Sequence, residues 1–336
     1  MTELAVPHTE GLPAVTPPVL ALDIGGTKLA TAVVDAEGGV HGLEVGPTTR
    51  GGGPGPVLDD LARQAERSLT RAASSMPYDH LDEAIGAIGI TSGGPLDIGT
   101  GRVSPTHLPD WHDVPVTDWA TARFGRPAVV DNDATAAALA EHRWGAGRGL
   151  GSVLYLTLST GLGGGLVIDG VPFRGATGNG GEPGHLLVVP GGRPCSCGRR
   201  GCLEAYCSGT SIAARAAEVS GTRVDAKDLA TMARAGDPVA IRIWQETADL
   251  LAQGIVDLAN VWDPELVVLG GGVSRSADLL LGPIRHAVAT QAMTPTRSCR
   301  VEATALGEST ALLGAGAIGH LMITDDLPTR PTIGRP

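Results

Sequence analysis

The apolar positions of this chain alternate between two rhythms. Short runs of continuous or period-two apolar character read as strands, and longer runs repeating at three and four read as helices. "VLALDI" (19–24) and "LATAVVD" (29–35) are two strands joined through "GGTK" in a hairpin-like turn, with a third short strand near "VHGLEV". "PVLDDLARQAERSLTRAA" (56–73) reads as a helix and "AIGAIGI" (84–90) as a buried strand. "PAVVDN" is a further strand that runs straight into the helix "DATAAALAEHRWG". The second half opens on "SVLYLTLS" and "GGLVIDGVPF", strands split by a glycine-rich turn. Its longest helix starts at Asp237, the expected N-cap, with Pro238 in the first turn. Ile241, Trp244, Ala248, Leu251, Ile255 and Leu258 then form one apolar stripe, read as core. "ELVVLGGGV" is a strand ending in glycines, followed by a helix, "CRVEATAL" and the small, apolar last helix "STALLGAGAIGHLM".

A strand pair, a helix and another strand thus occur once in each half, without a sequence repeat. That order predicts two related α/β domains with a ligand cleft between them. The expected division is a tail over 1–18, a first domain over 19–131 completed by the helix 308–322, a second over 132–307, and a tail over 325–336.

Composition narrows the picture. Aromatic residues make up only 3% of the chain, so the core must be built from Ala, Val, Leu and Ile. The 49 glycines cluster in "DIGGTK", "GLGGG" and "LGGGV", where they mark tight backbone geometry rather than disorder. A formal charge of −11 with no Lys/Arg run argues against a nucleic-acid surface. No secretory signal opens the chain and no apolar run reaches the roughly 18 residues of a membrane span, so a cytoplasmic protein is expected.

Three of the five cysteines crowd into "PCSCGRRGC". Cys195, Cys197 and Cys202, with His185 ten residues upstream of Cys195, make a complete tetrahedral donor set for a structural Zn²⁺ over the loop 185–202. The competing reading, small core residues or redox thiols, fits an Arg- and Gly-rich loop poorly, and redox pairs usually read CxxC. Cys207 and Cys299 are expected to be plain buried thiols. Asp23 stands at a strand end before Gly25, Gly26, Thr27 and Lys28, where amides and a hydroxyl suit phosphate oxygens and the carboxylate suits Mg²⁺. Thr160, Gly161 and Gly163 repeat the idea in the second half, and Gly271 and Gly272 form a third such loop. Neither a P-loop nor a dinucleotide GxGxxG is present, and each glycine turn alone is more often just a turn. Asp131, Asn132 and Asp133 lie where a strand hands over to a helix. Asp133 either faces the cleft or simply caps the helix. Glu182 and Glu204 flank the cysteine segment.

Taken together, "ALDIGGTK", "DNDATAAALAE", "STGLGGGLVIDG", "GEPGHLLV", "CSCGRRGCLEAYCSG" and "VVLGGGV" resemble the ROK family (repressors, open reading frames and sugar kinases) of the actin-like ATPase superfamily, from about 19 to 320. The resemblance implies two ribonuclease-H-like α/β domains closing over ATP, Mg²⁺ and a hexose. It implies Asp133 as general base and Gly94, His107, Asn132, Glu182, His185 and Glu204 around the sugar, with the zinc fixing the sugar-binding wall. Family habit implies a homodimer or homotetramer. Many relatives resembling glucokinases carry Pro-Gly where this chain has "SGGP", and Asn where it has His107. The "SGG" form is also similar to N-acetylmannosamine kinases. These departures fall where the sugar would be met; glucose is the expected sugar, with an N-acylhexosamine as the alternative. Non-catalytic, sugar-sensing members carry a DNA-binding helix-turn-helix before the first strand. Only 18 residues precede Val19, so catalysis is expected.

Overall fold

The computed structural model describes residues 16–221 and 223–324, so the expected tails, apart from residues 16–18, lie outside the described residues. In the first half, β1 (Val19–Ile24), β2 (Lys28–Val34) and β3 (Val40–Pro47) form an antiparallel meander. Helix α1 (Pro54–Ala73) and the single turn α2 (Leu81–Ala84) lead to β4 (Ala87–Ser92), which runs parallel to β1. Three short strands, β5 (Leu96–Asp97), β6 (Arg102–Val103) and β7 (Val114–Pro115), make a small separate sheet. After α3 (Val116–Phe124), β8 (Ala128–Asn132) joins β4 in parallel, giving the order β3-β2-β1-β4-β8.

Helix α4 (Asp133–Trp144) carries the chain into the second half. There β9 (Ser152–Leu158), β10 (Leu162–Ile168) and β11 (Val171–Pro172) repeat the meander. The helices α5 (Glu204–Cys207), α6 (Gly209–Ser220), α7 (Ala226–Arg234) and α8 (Pro238–Trp262) precede β12 (Leu266–Gly270). Helix α9 (Ala277–Gln291) and β13 (Arg300–Ala303) complete the order β11-β10-β9-β12-β13. The two sheets therefore share one topology, three antiparallel strands followed by two parallel ones. Helix α10 (Thr310–Ile323) then returns to pack on β1, β4 and α4.

The structure refines several boundaries. The strand expected over 84–90 starts at Ala87, because 81–84 is a helical turn, and it extends to Ser92. The strand expected over 164–173 is a hairpin instead. Asp169 (φ 50°) and Gly170 (φ 78°) turn the chain between β10 and β11, in the left-handed pair that suits a two-residue hairpin loop. The Asp237 cap is present: its Oδ1 accepts from the N–H groups of Val239 and Ala240. Among the described residues no helix is long and apolar enough to cross a membrane.

What joins the halves is a pair of helices, α4 and α10, in which alanines and glycines recur. Ala136, Ala137 and Ala138 of α4 and Ala317 and Ile318 of α10 share one buried cluster with Val129 of the first sheet and Tyr155 and Val268 of the second. Small side chains let backbones approach closely. A Cβ added to Gly89 of β4 would meet the carbonyl oxygen of Ala315 at 1.7 Å, and one added to Gly314 would meet the backbone of Ala136 at 2.6 Å. Gly89→Ala is therefore expected to destabilise the protein by about 1–3 kcal/mol, the usual cost of overpacking. A urea midpoint indistinguishable from wild type would show that α10 is free to move away.

Candidate active site

β1, β4 and β8 are parallel, so their C-terminal ends lie along one edge, and α4 starts from that edge. Asp23, Thr91 and Asp131 stand side by side there in the strand register. Thr91 Oγ1 donates to Asp23 Oδ1 at 2.9 Å. The next residue after β8, Asp133, opens α4, but it is not the helix cap. Asn132 Oδ1 accepts from the N–H groups of Ala134 (2.9 Å) and Thr135 (3.2 Å), while Asp133 Oδ1 accepts from Ala134 at 2.8 Å. Capping by Asn132 leaves most of the Asp133 carboxylate available at the helix N-terminus.

Asp133 is an electrostatic hub. Burial raises its own pKa, offset in part by the Ala134 N–H and by His107. Asp23, itself buried and facing the negative charge of Asp133, is pushed up to about 6 despite Thr91 and Lys28. Burial lowers His107, and the Asp133 charge pulls it partly back. Burial also raises Glu182, opposed by His185 and reinforced by Asp133 and Glu204. Thus Asp23, His107 and Glu182, far apart in sequence, all sense one carboxylate. Buried carboxylates beside the glycine turn at 25–28 offer oxygen donors of the kind that suit Mg²⁺.

The other expected residues fall around this hub. Gly25 closes the β1–β2 turn by donating to the Lys28 carbonyl at 3.1 Å, and Thr27 and Lys28 are exposed. Thr160 is exposed at the β9–β10 turn, where Gly161 and Gly163 follow. Gly271 (φ 81°) packs so closely on the Leu158 carbonyl that a Cβ would lie 2.5 Å from its oxygen, which sets the β12 loop against the β9–β10 turn, and Gly272 beside it has open space. The His107 ring lies against Gly26 of the β1–β2 turn and against Gly93 just past β4. Gly94 faces the Asn132 Nδ2 and Asn179 Oδ1.

His185, Cys195, Cys197 and Cys202 come together with all four donor atoms within 4.8 Å of one another. His185 Nδ1 and Cys195 Sγ are 3.6 Å apart, and Cys197 Sγ and Cys202 Sγ 3.7 Å. A tetrahedral Zn²⁺ with Zn–S of about 2.3 Å requires S···S edges of about 3.8 Å and slightly shorter S···N edges, so the cluster fits the ion. Because Nδ1 points at the sulfur cluster, Nε2 of His185 is left for another partner. Glu204 engages both its oxygens: Oε2 accepts from the Leu162 N–H at 3.0 Å and Oε1 from Ser196 Oγ at 3.0 Å. Cys207 and Cys299 are buried, apart from the cluster.

Sequence reasoning missed three neighbours. Thr48 and Arg50, on the loop after β3, bind the phosphate-turn carbonyls: Thr48 Oγ1 donates to Gly25 O (2.7 Å), Thr48 N to Thr27 O (3.1 Å) and Arg50 to Gly26 O (3.3 Å). Arg174, just past β11, binds Asp131. None carries a local motif, and each contact spans at least 20 residues of chain.

Two outcomes follow from this geometry. The purified protein should hold about one zinc per chain by elemental analysis, and Cys197→Ser should lose it, since a structural site needs all four ligands; full retention in the variant would remove Cys197 from the ligand set. Asp23→Asn should stabilise the ligand-free protein at pH 8 by on the order of 2 kcal/mol, because it removes a buried ionised carboxylate while keeping a partner for Thr91. With the folded pKa raised to about 6 from 3.8, the penalty is full above pH 6 and fades as the pH falls towards about 4. A gain from urea unfolding that stayed constant from pH 8 to pH 4 would contradict this origin.

The chain is 35% identical over 318 residues to the glucokinase of Thermotoga maritima, covering 89% of this chain and 96% of that one. It is 36% identical to the N-acetylmannosamine kinase of Yersinia pestis, over 82% and 89% of the two chains. Among solved structures, the ROK family glucokinase from Streptomyces griseus in complex with glucose and AMPPNP superimposes with a TM-score of 0.75 at 34% identity, covering 90% of this chain and 99% of that one. Its actin-like ATPase fold is the fold of this chain. The ROK family model matches residues 19–321, and the chain belongs to the ROK family.

Proposed function

We propose that this chain, an ATP-dependent sugar kinase, transfers the γ-phosphoryl group of ATP to the 6-hydroxyl of glucose with Asp133 as general base. The observation that carries the reading is the place of Asp133: with the helix capped by Asn132, its carboxylate lies where it acts at once on Asp23, on His107 beside the β1–β2 turn and on Glu182 of the second half. The Streptomyces griseus relative, whose complex holds glucose and AMPPNP, supports both ligands.

The sugar hydroxyl oxygen attacks the γ-phosphorus, the bond to the β,γ-bridging oxygen breaks and ADP leaves, while the hydroxyl proton passes to the Asp133 carboxylate. Burial raises the Asp133 pKa, which makes its carboxylate a stronger proton acceptor. The rest is alignment and charge stabilisation. Gly25, Gly26, Thr27 and Lys28 hold the phosphates from one side, and Thr160, Gly161, Gly163, Gly271 and Gly272 hold the nucleotide from the other. Asp23 would hold Mg²⁺, which when bound would supply charge neutralisation at the phosphates. Asn132 has committed Oδ1 to the helix, so its Nδ2 meets the sugar; His185 offers Nε2. Gly94, His107, Glu182 and Glu204 complete the wall. Burial keeps His107 neutral, able to donate to one hydroxyl and accept from another. The zinc fixes His185 and the 195–202 loop and takes no part in the transfer.

An N-acylhexosamine is the second reading. It is favoured by the Yersinia relative and by the His107 ring lying against Gly93 of the Ser92-Gly93-Gly94 stretch, which remodels the sugar wall. ADP release across glucose, mannose, fructose, allose, N-acetylglucosamine and N-acetylmannosamine separates the two. Asp133→Asn is expected to lower kcat at least about 100-fold while leaving sugar affinity by calorimetry within about threefold. Turnover near wild type would remove Asp133 from the mechanism, and silence of the wild type across the panel with sugar still bound would favour a sugar sensor. The wild-type rate should also fall as the pH drops through the raised Asp133 pKa, so the acid limb should lie above the ordinary carboxylate value of about 4. A flat profile down to that value would contradict an elevated base.

A further inference from the structure

Arg174 lies just past β11 in the second half, yet its guanidinium reaches the end of β8 in the first. Its Nε and Nη2 both meet Asp131 Oδ2, at 2.8 and 2.7 Å. Asp131 is almost wholly buried, and Arg174 is 12% exposed at its side chain. The second oxygen of Asp131 accepts from the Asn132 N–H at 2.8 Å, and Asn132 in turn caps the helix that begins with Asp133.

The same loop is gripped at its other end. The Gly180 N–H donates to the Arg174 carbonyl at 2.9 Å and closes the loop on itself. Asn179 then pairs with the backbone of Leu96, accepting from its N–H and donating to its carbonyl, both at 3.0 Å. Glu182 and His185 follow directly. One short loop therefore fastens the segment carrying Glu182 and His185 to the strand end carrying Asn132 and Asp133.

A buried ion pair is a poor way to gain stability, because the desolvation of both charges consumes most of the attraction. It is a good way to fix a direction, since a two-pronged guanidinium accepts few geometries. We infer that Arg174, through Asp131 and Asn132, is a positioning residue that holds the Asp133 carboxylate in register with the sugar-binding segment at 182–185. The inference rests on the kinase reading above.

Arg174→Gln alone leaves a buried carboxylate unpaired and threatens folding, so the deciding variant is Asp131→Asn/Arg174→Gln, which removes both charges and keeps polar partners. Both variants and the wild type are assayed with whichever sugar of the panel the wild type phosphorylates, alongside urea unfolding. The double variant is expected to unfold near the wild-type midpoint, with kcat reduced about 10- to 100-fold and sugar KM within about threefold. A purely structural pair would give a stable double variant with wild-type kcat, and that result overturns the inference. So does a raised KM with unchanged kcat, which would make Arg174 part of the sugar wall alone. A wild type that phosphorylates no sugar overturns the kinase reading and this inference with it, whereas wild-type turnover beside an unimpaired double variant removes only the inference.

Discussion

The structure depends on how closely two helices can approach each other and the sheets on either side. α4 and α10 lie between the β1–β4 sheet and the β9–β12 sheet, and alanines and glycines fill the contacts. A chain with so few aromatic side chains loses little by this, because short side chains in dense contact replace bulk with area of backbone approach. The consequence for chemistry is positional. Since α4 leaves β8 without a loop, Asp131, Asn132 and Asp133 are fixed by sheet register on one side and by helix geometry on the other. A base placed this way needs no flexible arm to bring it to its substrate.

The same placement concentrates like charge. Asp23, Asp133 and Glu182 all sit where burial opposes ionisation, and the Asp133 charge raises the pKa of the other two. Folding alone gains nothing from such a cluster, which lowers stability at neutral pH. Sites of this kind are where stability and activity pull apart, and here the local cost lies on the very edge from which the proposed transfer would be run. Asp131 differs from Asp23 and Asp133 in being ion-paired with a guanidinium, which works against the rise in pKa that its burial causes.

Much of this was legible in the sequence because it is local. The strand-to-helix handover at 128–133, the glycine turn at 25–28 and the ligand set 185–202 are short-range patterns whose chemistry can be read without the fold. The Asp133 cap was the ambiguous point, and it resolved in favour of Asn132 because that residue keeps extended backbone dihedrals while Asp133 is already helical. The hairpin at Asp169-Gly170 was hidden by apolar residues running through it. Arg174, Asn179, Thr48 and Arg50 were illegible for a different reason: their partners lie 20 to more than 80 residues away, and surface-type side chains give no sign of which carbonyl or carboxylate the fold will bring to them.

Glu204 shows how the two halves of the proposed ligand site are tied within one domain. It stands two residues after the last cysteine of the cluster, with one carboxylate oxygen on Ser196 of the cysteine loop and the other on the Leu162 N–H of the glycine turn. The cysteine loop has little apolar content of its own to hold its shape, so an ion held by its four candidate ligands would make it a rigid anchor. Rigidity at Cys195 and Cys202 passes through Glu204 to the turn at 160–163, and through His185 to the sugar side. On the kinase reading, a sugar hydroxyl that draws on Glu204 would compete for the oxygen that steadies the nucleotide turn. Sugar and nucleotide affinities should then be coupled through this one carboxylate, with each ligand sensing whether the other has arrived.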